Sequence, residues 1–450
     1  MEASSRNSDN LYWLTLPAVT VAVGLASGLG GMALGLLLHF IQHVAYGYSL
    51  HSLISHESFL EGVSGASPMR RFVTLCVCAA IAGIGWSTLY TFGKPLVSIG
   101  KAVKGDLPKM PLLSTVFHVL LQIITVALGS PLGREVAPRE LGAVLATRLS
   151  DLARLGAENR RIMIACGAGA GLASVYNVPL GGALFTLEVL LGTLGLSALI
   201  PALATSVIAA MVAWIGLGNV AQYSVPHLVV SPSLIVWSFV SGPVFGFSAY
   251  WFVRAAGAVR ARAPRDWRVL PWCAVVFPAI GLLAIQYPQL LGNGKGLAQA
   301  GFDGDLGLTR AATLFVLKLL VTLGALRAGA AAGMLTPGLA LGGLFGCALG
   351  ALWNHAWPSV PLGAFAIVGS AAFLASSMKM PLTAIVLILE FTRVGHDFLF
   401  PMSLSVAGSI AVFHLCTERN THTILERPHE DIPIGTERTA RSAALVTRSG

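Results

Sequence analysis

The sequence predicts an all-α, polytopic transmembrane fold built from two inverted repeats, with many tilted and broken helices. Three observations carry this. The 450 residues are 55% hydrophobic and only 11% charged, with a mean hydropathy of +0.75, whereas a soluble domain is about a quarter charged. Apolar runs recur along the chain, at about residues 11–46, 72–92, 111–130, 162–217, 230–256, 269–292, 311–326, 333–353, 361–394 and 397–416. A membrane-crossing helix needs roughly 20 such residues, so roughly ten or more helices are expected; the pattern is not the short alternating one of a closed barrel. Third, "GAGAGLASVYNVPLGGALFTLE" at 167–188 matches "GSAAFLASSMKMPLTAIVLILE" at 369–390 in one register, with Gly167, Leu172, Ala173, Ser174, Pro179, Leu180 and Glu188 each meeting an identical residue. Repeats of this kind mark transporters, which place substrate between the halves at the ends of discontinuous helices.

Taken in order, residues 1–14 read as a polar tail without the basic start of a cleavable signal. Residues 15–217 form the first membrane repeat, 218–416 the second, and 417–450 a polar tail too short for a regulatory domain of typical size. In the first run, Gly24 and Gly28, and Gly31 and Gly35, are spaced for close helix packing. His39 and His43 share a face there without an acidic partner, which favours packing over a zinc site. Gly93 and Pro95 interrupt the chain after the second run and leave Lys94 at the break, ordinarily a snorkelling interfacial lysine. Arg148, Arg154, Arg160 and Arg161 lie in one loop, and Arg254, Arg260, Arg262, Arg265 and Arg268 in another. The positive-inside rule puts both on the cytoplasmic side. This accounts for the net charge of +9 without nucleic-acid binding. The six cysteines show no metal spacing and read as small packing residues.

The chemistry concentrates in "GSPLGREVAPRE", 129–140. Pro131 and Gly133 discourage a helix across 129–134, and Pro138 suits the first turn of a new one. Glu135 therefore falls at a helix N-terminus, where free N–H groups and the positive dipole end favour an anion. Its carboxylate can occupy such a site itself, swing away, or take up a proton; the plainer reading is an ion pair with Arg134. Arg139 and Glu140 read as a first-turn pair that caps the helix or faces water. "GAAAGMLTPGLALGG", 329–343, has the same logic, with Pro337 opening a helix and the N–H groups of Met334 and Leu335 available to an anion.

These segments resemble the CLC family of chloride channels and proton-coupled anion antiporters. The second family motif reads "GREVA" from Gly133, the third "GMLTP" from Gly333, and the first falls on "GKPLV" from Gly93. The resemblance covers roughly residues 15–425 and suggests a divergent, prokaryotic-like member without a large C-terminal regulatory domain. It implies a chloride-like anion as cargo, protons as a second one in antiporters, a homodimer in the plasma (inner) membrane with both termini cytoplasmic, and neither cofactor nor metal. By the same resemblance Glu135 is the gate. Anion-binding positions are Gly93, Lys94, Arg134, Glu135, Val136, Met334, Leu335 and, at the family's central tyrosine, about Thr421.

This chain departs from the family at two of these places. Lys94 stands where the family offers a serine hydroxyl, and no tyrosine is available near Thr421. A lysine about 4 Å from an anion gains roughly 4 kcal/mol at an effective dielectric of about 20, which would slow release. The family's inner proton-transfer glutamate falls on Val189, one residue after a structural-looking Glu188, and argues against standard antiport. Three readings stay open: a passive anion channel, an anion/proton antiporter, and a non-conducting relative closed by a Lys94–Glu135 pair. No nucleophile–base constellation suggests an enzyme.

Overall fold

The structure, a computed structural model, describes residues 2–48, 58–105, 109–357 and 360–425, with side chains between 15 and 418. The chain divides into two compact units, Met1–Phe413 and His414–Gly450. The described part of the second ends the last helix, where His414 and Glu418 pair at 3.9 Å one turn apart.

Among the described residues the architecture is all-helical. The first half comprises α1 (Glu2–Tyr46), α2 (Phe59–Gly65), α3 (Pro68–Phe92), α4 (Ile99–Lys104), α5 (Leu112–Ala127), α6 (Val136–Leu152), α7 (Ala157–Tyr176), α8 (Pro179–Leu184) and α9 (Leu196–Leu217). A π-helical turn, Phe185–Leu191, extends α8. The second half comprises α10 (Pro232–Ala261), α11 (Val269–Gln286), α12 (Lys295–Asp303), α13 (Leu308–Arg327), α14 (Leu335–Ala356), α15 (Leu362–Met378), α16 (Pro381–Thr392) and α17 (Leu399–Leu425).

Eight of the described helices are long and apolar enough to cross a bilayer, and four apolar helices of 10–17 residues are shorter. The expectation of roughly ten or more helices is met by the 17 α-helices among the described residues, not all of which are long enough to span. The apolar run 162–217, for example, is cut at Asn177, which turns left-handed (φ 55°) at the end of α7, and at Gly192 (φ 66°). Each cut makes a short helix with free ends inside the protein, tolerable in lipid only when other protein groups satisfy those ends.

The two halves satisfy each other's ends. Glu390 of α16 accepts the N–H groups of Leu180 (3.0 Å) and Gly181 (2.7 Å) at the start of α8. Glu188, in the π turn after α8, accepts those of Leu382 (3.0 Å) and Thr383 (2.7 Å) at the start of α16. Pro179 and Pro381 open these helices, so the bonded amides are the next two along each chain. The glutamate shared by the repeats is thus a cap given by each half to the other.

Glycine sets how closely the helices cross. The carbonyl of Gly142 (α6) faces Gly167 (α7), and that of Gly342 (α14) faces Gly369 (α15); a Cβ on either partner would overlap backbone. In the first run, Gly24 and Gly28 pack α1 against Thr205, Ile208 and Ala209 of α9. Gly167→Val is expected to cost roughly 1–3 kcal/mol through overpacking. Thermal unfolding of the detergent-solubilised protein checks it against Gly257→Ala, whose added Cβ meets nothing within 4 Å.

Candidate functional site

The site is built from two matched breaks. Two residues past the ends of α5 and α13 the chain turns left-handed at Gly129 (φ 103°) and Gly329 (φ 92°). Both positions demand a residue without Cβ strain. Ser130 N–H then returns to Thr125 O (2.9 Å) and Ala330 N–H to Ala325 O (3.3 Å), the same closure 200 residues apart. The freed segments run side by side and join at Gly133 and Gly333, which exchange N–H···O bonds of 2.7 and 2.9 Å. α6 then starts from Glu135 and α14 from Met334.

Glu135 is fully buried. Its carboxylate makes no capping bond to its own helix. Oε1 instead accepts the Leu335 N–H at 2.6 Å, the first amide of α14. Glu135 and Leu335 each lie two residues after the paired glycines, and the carboxylate of one half rests on the helix start of the other. The positive dipole end of a 22-residue helix favours a negative charge there. The bridge glycines make the space: a Cβ at Gly133 or Gly333 would overlap the Glu135 carboxylate. Thr336, next in α14, shares a hydrogen bond of 3.1 Å with the buried hydroxyl of Tyr176, whose ring lies under the Arg134 guanidinium at 5.1 Å.

Two ion pairs that the sequence left open as alternatives do not form. Among the described residues no salt bridge joins Glu135 to Arg134 or to Lys94. Arg134 is taken by the Tyr176 ring, and Lys94 is exposed. Lys94 does not stand at a helix start either, because α4 begins only at Ile99, capped by Ser98. Its N–H donates to Ser114 Oγ at 2.9 Å. Arg139 and Glu140, expected to cap the helix or face water, are partly exposed and engage protein partners: Arg139 stacks over Phe185 at 4.6 Å, and Glu140 Oε2 contacts His118 Nδ1 at 2.8 Å and Gln122 Nε2 at 3.1 Å.

Gly93 and Lys94 instead line a cavity of about 580 Å³ together with Val136, His118, Arg260 and Arg265. Lys94 also borders a second cavity with Lys109 and Arg148. The arginines expected in two loops are largely helical: Arg148 ends α6, Arg160 and Arg161 begin α7, and Arg254 and Arg260 end α10. Thr421 lies outside the residues whose side chains are described.

Two participants escaped the sequence reading. Lys318 of α13 is fully buried, and its ammonium donates to the carbonyls of Gly292 (2.8 Å), Pro131 (3.2 Å) and Leu290 (3.5 Å). It ties the broken 129–134 segment to the chain before α12. A lysine in the middle of an apolar run was the available signal, since intramembrane charge marks function by default. Tyr176 gave no such signal, because a tyrosine closing an apolar helix is ordinary.

Fold and site together define a class: integral, multi-pass helical membrane proteins whose inverted halves bring a buried carboxylate to an opposed helix N-terminus. Residues 78–414, more than half of the chain, match the family model described as voltage gated chloride channel, and the chain belongs to that family. It is 28% identical over 361 residues to the voltage-gated ClC-type chloride channel ClcB of Citrobacter koseri, covering 74% of this chain and 82% of the relative. It is 27% identical over 410 residues to the H(+)/Cl(-) exchange transporter ClcA of Vibrio vulnificus, covering 88% and 85%. In fold it resembles a slow cyanobacterial Cl-/H+ antiporter, with a TM-score of 0.76 at 20% identity over 92% of this chain and 99% of that one. It also resembles a CLC-type fluoride/proton antiporter, with a TM-score of 0.68 at 20% identity over 90% and 98%.

Proposed function

We propose that this protein carries a small inorganic anion, chloride or one like it, across the membrane, with the Glu135 carboxylate as a movable gate. One observation supports this above the others: Oε1 of Glu135 occupies the anion position at the start of α14, on the Leu335 amide. A carboxylate oxygen there stands in for a mobile anion and competes with it. Protonation removes the competing charge, so acid pH opens the site. Relatives that include a chloride channel and H(+)/Cl(-) exchangers favour chloride as cargo.

Val136, Met334 and Leu335 line the route at the two helix starts, with Arg134 adding charge. Gly93 and Lys94 act at the mouth, where Lys94, Arg260 and Arg265 concentrate anions in the cavity. The basic loops, and both termini, face the cytoplasm of an inner membrane, and two copies pair as in the family. The reading as a non-conducting chain loses its motive, since Lys94 and Glu135 do not pair.

Chloride efflux from proteoliposomes tests the proposal. Wild-type protein is expected to release chloride well above the rate of empty liposomes; equal rates overturn it. Lys94→Ser is expected to slow flux about threefold at low ionic strength and to match wild type near 1 M salt, where the screening length falls to about 3 Å.

A further inference from the structure

We propose that the buried His118–Glu140 pair is a proton-exchange site of the inner cavity, supplying protons toward Glu135; this rests on the transport reading above. The pair bridges α5 and α6. Its side chains are 6% and 13% exposed, and His118 Nδ1 lies 2.8 Å from Glu140 Oε2. Gln122 Nε2 reaches the same carboxylate oxygen and the same ring nitrogen, each at 3.1 Å. At 2.8 Å one proton is shared, carried either by the imidazole or by the carboxyl group. The other ring nitrogen, Nε2, is buried without a hydrogen-bond partner among the described residues.

Position turns this pair into more than a structural contact. His118 lines the same cavity as Val136, the neighbour of Glu135. Among the described lining residues of that cavity there is one imidazole and no carboxylate. Glu188 cannot serve, because both its oxygens are held by the α16 amides, and Val189 beside it is apolar. Imidazole takes a proton at one nitrogen while giving one up at the other. When cavity water reaches the buried Nε2 and protonates it, the shared proton moves from Nδ1 onto Glu140 Oε2. When that proton returns to Nδ1, the Nε2 proton leaves to cavity water, which carries it past Val136 toward Glu135; one proton is bound and one released, and no other bond changes. Glu140 follows Glu135 by five residues, about 7.5 Å along the axis of α6.

The charged and titratable neighbours are few. α6 contributes Arg139, within electrostatic range of both Glu135 and Glu140. The cavity wall contributes Tyr90 of α3 with Lys94, Arg260 and Arg265. Deeper in α3, Cys78 bonds Thr125 O. α1 carries His39, near Arg134 and Lys295, and His43, against Tyr48.

Proteoliposomes with a chloride gradient, read by a chloride electrode and a pH electrode at once, test this. His118→Gln and Glu140→Gln are expected to lower the proton-to-chloride ratio at least tenfold while chloride flux stays within about threefold of wild type. Glu140→Asp is expected to restore part of the proton flux. A merely structural pair would lower both fluxes together, and that result overturns the proposal, as does an unchanged ratio in His118→Gln. Should His118→Gln fail to fold, the near-isosteric Glu140→Gln decides. Wild-type chloride flux without proton movement overturns the proton site and leaves anion transport standing; no flux of either kind overturns the transport reading and this one with it.

Discussion

Glu135→Ala is expected to leave the protein folded and to abolish the pH dependence of its anion flux. In the wild type, flux should rise as pH falls, because protonation removes the charge that holds Glu135 against the Leu335 amide. The alanine variant has no carboxylate to place there at any pH. A charge-assisted hydrogen bond is worth about 1.5–3 kcal/mol, so removing the competitor should raise apparent anion affinity roughly tenfold or more, at about 1.4 kcal/mol per decade. Proton movement coupled to chloride should fall to background. Isothermal titration with chloride and efflux between pH 4.5 and 8 check both parts. If the variant keeps the wild-type pH profile, Glu135 is not the gate. Glu135→Gln separates charge from shape: the amide fills the same space between Gly133 and Gly333 but loses the charge.

The second large effect concerns the reciprocal caps. Glu390→Ala should strip the amides of Leu180 and Gly181 at the start of α8, and Glu188→Ala those of Leu382 and Thr383 at the start of α16. Each cap makes two charge-assisted bonds, and Glu188 takes a third from the Thr383 hydroxyl at 2.5 Å. Partial exposure of the bonded groups lowers the value of each bond, so roughly 2–3 kcal/mol per substitution is expected. The thermal midpoint in detergent should drop in each variant. Amide exchange gives the sharper reading. Glu390→Ala should speed exchange at Leu180 and Gly181 while leaving Leu382 and Thr383 slow, and Glu188→Ala should do the reverse. Acceleration at all four sites in both variants would mean that the two ends melt as one unit rather than being capped separately.

Much of this molecule was legible before any coordinates. Composition and run length dictated helices in a membrane, since a lipid-embedded chain satisfies its backbone only within helices or closed barrels. The register of the repeat predicted equivalent roles for Pro179 and Pro381 and for Glu188 and Glu390. Breaks at Gly129–Gly133 and Gly329–Gly333 could be read from glycine and proline spacing, and with them a buried acid at a helix start. Those inferences held because each depends on local chemistry that a short segment carries by itself.

What tertiary structure alone decided was partnership across about 200 residues. Glu135 meets the amide of Leu335 rather than Arg134 or Lys94; Glu140 meets His118; Lys318 meets three carbonyls of two other segments; and each repeat's glutamate caps the helix of the other. Periodicity reports which face of a helix is buried, and nothing in it says which distant end will arrive there. That is set by how closely the helices cross, as where Gly142 meets Gly167 and Gly342 meets Gly369, and by the pairing of Gly133 with Gly333. A charge inside such a protein takes the partner that this packing delivers, because lipid supplies none.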